Sequence, residues 1–392
     1  MNLLFYCDEY PPYRTGGIGS VTRIVAEALA DRGHNVYVVG YYFKNTELPV
    51  YSVINKVHIY RLNQGYRLGL FRKIYLALLS AINLSKIVIQ KEVTYTENFI
   101  ESLAKEKDID VIELTDYYSC CAYSKTSLSF KKFSRPTVLR IHGCVSFIES
   151  FTKGVRSWTK KNDTNHFNRC DYISAVSQSA LDYIRQNYKV NSVKDDIVIY
   201  NPIENNFLKK QEQSRNKEII YVGRLTESKG CVTLIKAFNI IAETHPDWTL
   251  RIVAGGKDEA YKKMLTPKSC DKVFFMGYCS REQIQLMIDN AAFACVPTYF
   301  ETFGMVATEI MARSRCLIFT ETSSGPEIIS NGKDGILVNP RSAVEVSKAM
   351  EKLISDPVYR KQLADEAYQK VVSKFVLDKI IVQLENFYSK II

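Results

Sequence analysis

The sequence predicts an α/β protein built from two doubly wound domains in series. Short β-branched runs alternate with longer helical patterns, the same alternation starts again near residue 218, and a polar stretch separates the two halves. The chain has 392 residues, and at roughly 150 residues per domain this length also favours two domains, with three as the alternative, each large enough to bury a core.

The first domain is predicted over residues 1–200. Its β-branched runs predict a parallel sheet with strands at Leu3–Cys7, Asn35–Val39, Val57–Arg61, Val111–Leu114 and Thr137–Ile141. The helical patterns between and after them are Ser20–Arg32, Tyr95–Lys107 and Ser177–Asn187.

The second domain is predicted over residues 218–374, after a polar linker at 201–217 that contains Asn201-Pro202. Its strands are predicted at Glu218–Val222, Thr249–Ala254, Val273–Met276, Phe293–Pro297, Cys316–Phe319 and Ile336–Val338. Helices should begin near Gly230, Ser280, Gly304, Pro326 and Ser342. The tail, residues 375–392, has a helical pattern of apolar side chains.

Composition excludes several classes of protein. A chain that is 46% hydrophobic and 24% charged is neither collagen-like nor intrinsically disordered. The ten cysteines include no Cys-x-x-Cys, which disfavours a zinc finger or a disulfide framework. The first residues lack the basic region of a signal peptide, so we expect a cytoplasmic protein. The net charge of +10 favours anionic partners, although no recognised nucleic-acid-binding module accompanies it.

A glycine pair, Gly16-Gly17, lies between the first strand and the first helix. Small residues there allow backbone N–H groups to approach a phosphate or a sugar closely. The spacing differs from the dinucleotide-binding fingerprint, which disfavours a nicotinamide-dependent dehydrogenase. A plain tight turn remains the alternative for this loop.

Two cations follow the strand Glu218–Val222. Arg224 and Lys229 are five residues apart in the loop at the carboxyl end of that strand, where they are placed to hold a diphosphate. The loop lacks the spacing of a Walker A motif. For either cation alone, a solvated loop charge would be the better interpretation.

The most informative segment runs from Tyr299 to Glu309. Thr302 is predicted to cap a helix, so that the N–H groups of Phe303, Gly304 and Met305 form an anion site. Glu301 precedes this helix and Glu309 lies inside it. Two carboxylates on either side of an anion site suit a nucleotide-diphosphate sugar, which carries hydroxyl groups at both ends.

These motifs occur together in an order that resembles glycosyltransferase family 4. The motifs are Gly16-Gly17, Ile141-His142-Gly143, Ser174-Ala175-Val176-Ser177, Asn201-Pro202-Ile203, Gly223-Arg224 with Lys229-Gly230, and Glu301 with Glu309. The resemblance covers nearly the whole chain. It implies a GT-B fold, two Rossmann-like domains facing across a cleft, and retaining transfer from a nucleotide-diphosphate sugar.

The resemblance also implies roles for individual residues. Arg224 and Lys229 would hold the donor diphosphate, and Glu309 the ribose hydroxyls. Glu301 would bind the transferred sugar beside the amides of Phe303 and Gly304. His142 would lie beside the donor sugar, with a structural histidine as the alternative. The sequence departs from the family pattern at Ser324-Gly325-Pro326-Glu327, where a second glycine is common.

No metal and no cofactor are expected, because a UDP- or GDP-sugar is itself the donor substrate. Asp108-Ile109-Asp110 has the Asp-x-Asp spacing of metal-dependent glycosyltransferases, but it lies at a helix-to-strand junction where solvated carboxylates are ordinary. We therefore expect a metal-independent enzyme of the hexosyltransferase type, in which cations and a helix dipole neutralise the leaving diphosphate.

The acceptor is predicted from charge. Residues 61–91 contain six basic side chains and no acid, interleaved with aromatic and aliphatic residues. Such a segment can lie on the anionic inner face of the plasma membrane, which points to a lipid-linked acceptor in capsule or lipopolysaccharide synthesis. A core helix with a solvated basic rim is the alternative. Two other functions stay open: a nucleotide-sugar epimerase and a catalytically silent binding subunit.

Overall fold

The computed structural model describes residues 1–13, 16–42, 48–62, 85–118, 124–152, 154–190, 193–214 and 216–392. Within these ranges the chain forms two compact units. Unit 1 comprises Met1–Pro202 together with Ile380–Ile392, and unit 2 comprises Ile203–Lys379. Each unit has its own largely parallel sheet with helices packed against it.

The described strands of unit 1 form one sheet in the order β3-β4-β2-β1-β5-β6-β7-β8. All neighbours are parallel except β3 and β4, which are antiparallel. The strands are β1 (Asn2–Tyr6), β2 (Asn35–Tyr41), β3 (Tyr51–Ile54), β4 (Val57–Leu62), β5 (Val111–Thr115), β6 (Thr137–Ile141), β7 (Tyr172–Ala175) and β8 (Asp195–Val198). The sequence patterns missed β3, β7 and β8, because these four-residue strands carry polar side chains or lie at an exposed edge.

Helices connect these strands. They are α1 (Gly17–Asp31), α2 (Ser85–Glu106), α3 (Val145–Ser150), α4 (Ser157–Asn168) and α5 (Gln178–Asn187). Helix α2 begins ten residues before the predicted start, because the buried positions Ile89 and Val93 extend its apolar face towards the amino end. Ser177 caps α5 by accepting a hydrogen bond from the N–H of Ala180.

Unit 2 contains a fully parallel sheet with the strand order β11-β10-β9-β12-β13-β14 among its described residues. The strands are β9 (Glu218–Val222), β10 (Thr249–Val253), β11 (Val273–Phe275), β12 (Phe293–Val296), β13 (Cys316–Thr320) and β14 (Ile336–Val338). The helices are α6 (Cys231–Thr244), α7 (Glu259–Lys262), α8 (Arg281–Asn290), α9 (Met305–Ala312), α10 (Gly325–Ile328), α11 (Ala343–Ser355) and α12 (Pro357–Lys374). Two 3₁₀ turns, Asn205–Phe207 and Glu227–Lys229, complete the unit.

Among the described parallel strands, strand order reverses once in each sheet. The reversal lies between β1 and β5 in unit 1 and between β9 and β12 in unit 2. In open α/β sheets, ligands bind outside the carboxyl ends of the strands at such a switch point. The loops after β9 and β12 are those that contain Arg224, Lys229 and Glu301. We therefore expect a ligand of unit 2 to bind near these loops.

The last helix, α13 (Leu377–Ile391), packs mainly on unit 1. Its buried face is apolar, but the Tyr388 hydroxyl donates a hydrogen bond to Glu113 Oε2 at 2.5 Å. Burial raises the pKa of Glu113, while the nearby Arg140 guanidinium and the Tyr388 hydrogen bond oppose that shift. Arg140 in turn donates to the carbonyl of Ile199 at 3.1 Å. A polar network thus ties the end of the chain to the sheet of unit 1.

Several predictions concern residues outside the described ranges. Most of the basic stretch at 61–91 is among them, since residues 63–84 are not described, and so is the Cys120-Cys121 pair. In the ranges that are described, no helix combines the length and the apolar character needed to cross a bilayer. The cysteines in these ranges form no disulfide.

We expect Tyr388→Phe to lower the free energy of unfolding of unit 1 by about 1–3 kcal/mol, because the buried Glu113 carboxyl loses a hydrogen-bond donor. Urea titration followed by circular dichroism measures this change. Tyr51→Phe is the matched control, because the exposed Tyr51 hydroxyl bonds to His58 at the surface of the same unit. Equal effects of the two substitutions would contradict a structural role for the Tyr388 network.

Candidate active site

The loop after β9 is held by a buried tyrosine. The Tyr221 hydroxyl donates to the carbonyls of Arg224 and Lys229, at 2.9 and 3.3 Å, and so ties the two ends of the loop together. Gly230 follows in a left-handed conformation with φ of 75°, and a Cβ there would lie 1.8 Å from the carbonyl oxygen of Pro297. Only glycine allows the loop after β9 to approach the loop after β12 this closely.

The two loops meet through opposite charges. Lys229 Nζ donates to Glu301 Oε1 at 2.5 Å, and both side chains are largely buried. The N–H of Tyr299 bonds to the carbonyl of Ser228 at 2.9 Å, which fixes the backbones side by side. Arg224 is exposed, and its guanidinium contacts no hydrogen-bond or ion-pair partner within the described ranges. A diphosphate bound here would meet the exposed guanidinium of Arg224 and the ammonium group of Lys229, which already bonds to Glu301.

The predicted cap at Thr302 is wrong. Helix α9 begins at Met305, and its N-cap is Gly304 in a left-handed conformation with φ of 94°. A Cβ at Gly304 would lie 3.0 Å from Cζ of Phe319, so the packing also favours glycine. Of the three amides predicted for the anion site, that of Phe303 therefore precedes the cap. The first helical N–H groups are those of Met305 and Val306, which lack the carbonyl partner that an earlier turn would supply.

Two serines hold the segment before α9 in place of a helical turn. Ser324 Oγ donates to the carbonyls of Glu301 and Phe303, at 3.0 and 3.1 Å. Ser323 Oγ accepts the N–H of Glu301 at 2.8 Å. These contacts come from the loop after β13, where the sequence departs from the family pattern. The serines orient the backbone of Glu301, which is a role that the sequence alone did not suggest.

Glu309 lies in α9 and faces an arginine that the sequence analysis missed. Arg281 donates to Glu309 Oε1 at 3.2 Å and forms an ion pair with Glu204 at 2.8 Å. Burial raises the pKa of Glu309 to about 7, while Arg281 opposes the shift and Glu204 adds to it. The Arg281 guanidinium thus pairs with both carboxylates. Arg281 stands in the first turn of α8 after the Ser280 capping box, a position where a solvated charge is the ordinary expectation.

The glycine pair of unit 1 lies at the start of α1. Gly16 is the N-cap, Gly17 is the first helical residue, and both are exposed. The Gly16 N–H donates to Glu9 Oε2 at 3.1 Å. A carboxylate of the same chain therefore occupies one of the donors at this helix end, where an anion is electrostatically favoured.

His142 lies directly after β6 in unit 1. Burial and the positive charge of Arg140 lower its pKa well below the ordinary value, so the imidazole is neutral at pH 7. The next N–H, that of Gly143, donates to Asp116 Oδ2 at 2.9 Å. Asp116 follows β5 immediately and was not singled out from the sequence, although an acid at the carboxyl end of a buried strand is a recognisable signal.

The Asp-x-Asp segment lies at the opposite, amino end of β5. Asp110 Oδ2 accepts the N–H of Asn2 at 2.7 Å, and Asp108 pairs with Arg135 at 2.7 Å. Both carboxylates thus have structural partners. Among the described side chains there is no cluster of three or more histidine, cysteine or acidic residues able to hold a metal ion.

Comparison with known families identifies the chain over most of its length. A model of glycosyltransferase family 4 matches residues 15–207, and a model of glycosyl transferases group 1 matches residues 202–370. A glycosyltransferase of Methanocaldococcus jannaschii is 26% identical over 97% of this chain and 96% of its own length. A glycogen synthase of Mycobacterium tuberculosis is 24% identical over 96% of this chain and 91% of its own.

Solved structures show the same architecture. Sucrose-phosphate synthase from Thermosynechococcus elongatus has a TM-score of 0.79 at 17% identity, covering 99% of this chain and 98% of its own. Anabaena HepE in complex with UDP and glucose has a TM-score of 0.69 at 18% identity, with both chains fully covered. At these identities the likeness establishes the fold, which is GT-B. Since the two family models together extend over residues 15–370, the chain belongs to glycosyltransferase family 4.

Proposed function

We propose that this glycosyltransferase is a metal-independent, retaining hexosyltransferase that moves a sugar from a UDP- or GDP-sugar to a growing glycan. The observation that carries the proposal is the contact between Lys229 and Glu301 at the switch point of unit 2. It brings a lysine, which can bind phosphate, next to a glutamate, which can accept hydrogen bonds from sugar hydroxyls. The pair lies where ligands of such sheets bind.

The choice of donor is supported by Anabaena HepE, a structural neighbour that has been crystallised with UDP and with UDP-glucose. In the present chain, Arg224 and Lys229 would neutralise the diphosphate, and the amino end of α9 would add its positive dipole. Glu309 would accept hydrogen bonds from the ribose hydroxyls, and Glu301 from the transferred sugar. No cofactor is needed, because the donor already carries an activated leaving group.

The reaction would proceed by departure of the nucleoside diphosphate and attack on the same face of the sugar. Negative charge develops on the leaving diphosphate, so Arg224 and Lys229 would stabilise the transition state more than the bound donor. This is the work that a divalent cation performs in other glycosyltransferases. The leaving phosphate would help to deprotonate the acceptor hydroxyl. The contact of neutral His142 with the donor sugar, and that of Gly16 and Gly17 with donor or acceptor, stay predictions.

The acceptor is proposed to be a lipid-linked precursor of a surface polysaccharide, with the enzyme at the cytoplasmic face of the membrane. The support is the net charge of +10 and the acid-free basic stretch at 61–91. Its described part includes Lys86 and Lys91 at the start of α2, with Ile87 exposed between them. Binding to vesicles with and without anionic lipid tests this part of the proposal.

Nucleotide binding tests the donor site directly. We expect UDP or GDP to bind in the presence of EDTA, and Glu309→Ala to weaken that binding by roughly 10- to 100-fold, because the ribose loses a charged hydrogen-bond acceptor. Isothermal titration calorimetry measures the change. Glu282→Ala, an exposed acid in the first turn of α8, is the control and should bind like the wild type. A strict requirement for a divalent cation would refute metal independence.

Product analysis separates the proposed transfer from the two other functions. Release of free sugar or of an epimer from the nucleotide sugar in the absence of acceptor would favour the epimerase. Tight nucleotide binding with no turnover of any donor and acceptor pair would favour the silent binding subunit.

Lys229→Ala should lower kcat/KM by roughly 100-fold or more and affect the melting temperature much less, because a partner of the developing charge is lost while the apolar core is intact and the cost is confined to the Glu301 carboxylate that loses its partner. Lys217→Ala is the matched control, since Lys217 also pairs with a carboxylate but at the surface, with Asp247. Steady-state kinetics and thermal unfolding of both variants give the comparison. A melting temperature that falls in parallel with activity would indicate a scaffold role for Lys229.

Nucleotide affinity should also depend on pH through Glu309. Burial raises its pKa to about 7, and ribose hydroxyls bind the ionised carboxylate, so binding must expel a proton below that pH. We expect the Kd to rise as the pH falls through 7, by at most about tenfold per pH unit, and to level off above it. Calorimetry of wild type and Glu309→Gln isolates this effect, because titration of the nucleotide phosphate is common to both. An unchanged pH profile in Glu309→Gln would contradict it.

A further inference from the structure

We propose that Arg281 and Glu204 are positioning residues of the donor site, and that the division of the Arg281 guanidinium between Glu204 and Glu309 sets how strongly Glu309 binds the ribose hydroxyls. This inference rests on the proposed donor site and names the residues that regulate it. Neither Arg281 nor Glu204 is assigned a contact with the nucleotide. Both act through Glu309, the carboxylate that the proposed function places against the ribose.

One nitrogen atom of Arg281 lies between the two carboxylates. Its Nη2 is 2.8 Å from Glu204 Oε2 and 3.2 Å from Glu309 Oε1, so the guanidinium lies closer to Glu204. The side chains of Glu204 and Glu309 are only 14% and 16% exposed, which limits the screening of their charges by water. A single positive charge is therefore divided between two acids, and a stronger contact with one weakens the contact with the other.

The backbone fixes the segment that carries Glu204 to the helix that carries Glu309. Glu204 directly precedes the 3₁₀ turn that opens unit 2. Just after this turn, the N–H of Lys209 donates to the carbonyl of Ala312, the last residue of α9, at 3.0 Å. The two acids therefore belong to elements that are bonded to each other, and the guanidinium between them cannot be relieved by a simple shift of the Glu204 segment.

Arg281 stands where its own helix does not favour a cation. It is the first residue of α8, and the positive end of the helix dipole disfavours a positive side chain there. The guanidinium packs over the face of the buried Phe207 ring, 4.9 Å from the ring centroid. The aromatic ring and the two carboxylates together account for the position of this arginine, which the local chemistry of α8 does not.

The two neighbours act on Glu309 in opposite directions. Burial raises the pKa of Glu309 to about 7, and the charged groups that act on it among the described residues are Arg281, which lowers the pKa, and Glu204, which raises it. An ionised carboxylate accepts hydrogen bonds at both oxygens, whereas protonation turns one oxygen into a donor. Loss of Arg281 should therefore weaken the binding of ribose hydroxyls near neutral pH, and loss of the charge on Glu204 should strengthen it.

These opposite signs separate the proposed role from a structural one. An ion pair that only holds α8 in place would weaken nucleotide binding, or leave it unchanged, whichever of its partners is replaced. A gain in affinity on replacement of Glu204 follows only if Glu204 competes with Glu309 for the guanidinium or repels its ionised form.

Calorimetry on the full chain tests the inference with UDP and GDP, each compared with its 2′,3′-dideoxy analogue across the neutral pH range. The two members of a pair share the base and the diphosphate. The ratio of the Kd of the dideoxy analogue to that of the parent nucleotide therefore isolates the ribose hydroxyls and removes the titration of the phosphate. In the wild type we expect this ratio to fall as the pH falls through about 7, because Glu309 becomes protonated.

The variants should move the midpoint of this titration in opposite directions. Arg281→Gln should raise it by roughly one pH unit, because Glu309 loses its cation and keeps the repulsion of Glu204. Glu204→Gln should lower it and increase the ratio below the wild-type midpoint by roughly three- to tenfold. Arg281→Lys keeps the charge but not the planar fork, so its midpoint should lie between those of the wild type and Arg281→Gln.

Glu218→Gln is the matched control. Glu218 is a buried acid of unit 2 that pairs with Arg251 through two hydrogen bonds, at 2.9 and 2.7 Å, and it lies at the amino end of β9, opposite the donor loops. We expect this variant to keep the wild-type ratio and midpoint even where its melting temperature falls. If Arg281→Gln does not fold, the opposite shift in the isosteric Glu204→Gln still decides the question.

The outcomes distinguish this inference from the proposed function. UDP or GDP binding with the wild-type midpoint in both Arg281→Gln and Glu204→Gln, or with midpoints that move in the same direction, would overturn the inference and leave the proposed donor site in place. Absence of UDP and GDP binding in the wild type would contradict the donor site itself, and the inference with it.

Discussion

The contact between Lys229 and Glu301 is the interaction on which the proposed donor site depends. It joins two loops that are distant in sequence and adjacent only because the order of the sheet reverses between β9 and β12. The neighbouring features keep these loops in register: the Tyr221 hydroxyl on one side, Ser323 and Ser324 on the other, and Gly230 where the backbones approach most closely. The polarity of the site is therefore fixed before a ligand arrives, which lowers the cost of reorganisation during transfer.

Such a site costs stability. Glu309 is largely buried beside a guanidinium that it shares with Glu204, and burial raises its pKa although Arg281 opposes the shift. Asp116 in unit 1 is a parallel case: one oxygen accepts the N–H of Gly143, and the other has no hydrogen-bond partner among the described residues. Packing alone would favour apolar side chains at both positions. Both acids follow a strand at the switch point of its sheet, Asp116 directly after β5 and Glu309 in the helix after β12, and ligands of such sheets bind near these positions.

The sequence was informative wherever the signal is local. Both parallel sheets, the caps at Ser280 and Ser342 and the helices after Gly230 and Gly304 follow from periodicity and cap residues. Prediction from the sequence failed where tertiary contacts determine the local structure. Thr302 has the chemistry of a cap, but the serines after β13 hold that segment outside the helix. Arg281 gave little warning, because its partner Glu309 is 28 residues away in the chain. Asp116 did carry a signal, an acid directly after a buried strand, which the sequence-based predictions did not use. Strands β7 and β8 have no periodic pattern long enough to detect.

Net charge also proves to be a poor guide to what each unit recognises. The value of +10 favours anionic partners for the whole chain, and the cations and helix end of unit 2 agree with a diphosphate. A cavity of unit 1, between the segment after β5 and helix α4, has a mixed character, since Asp116 and Asp163 line it together with Arg156. A charge summed over the whole chain therefore says little about which ligand either unit can hold, because exposed charges farther from a site than a Debye length are largely screened.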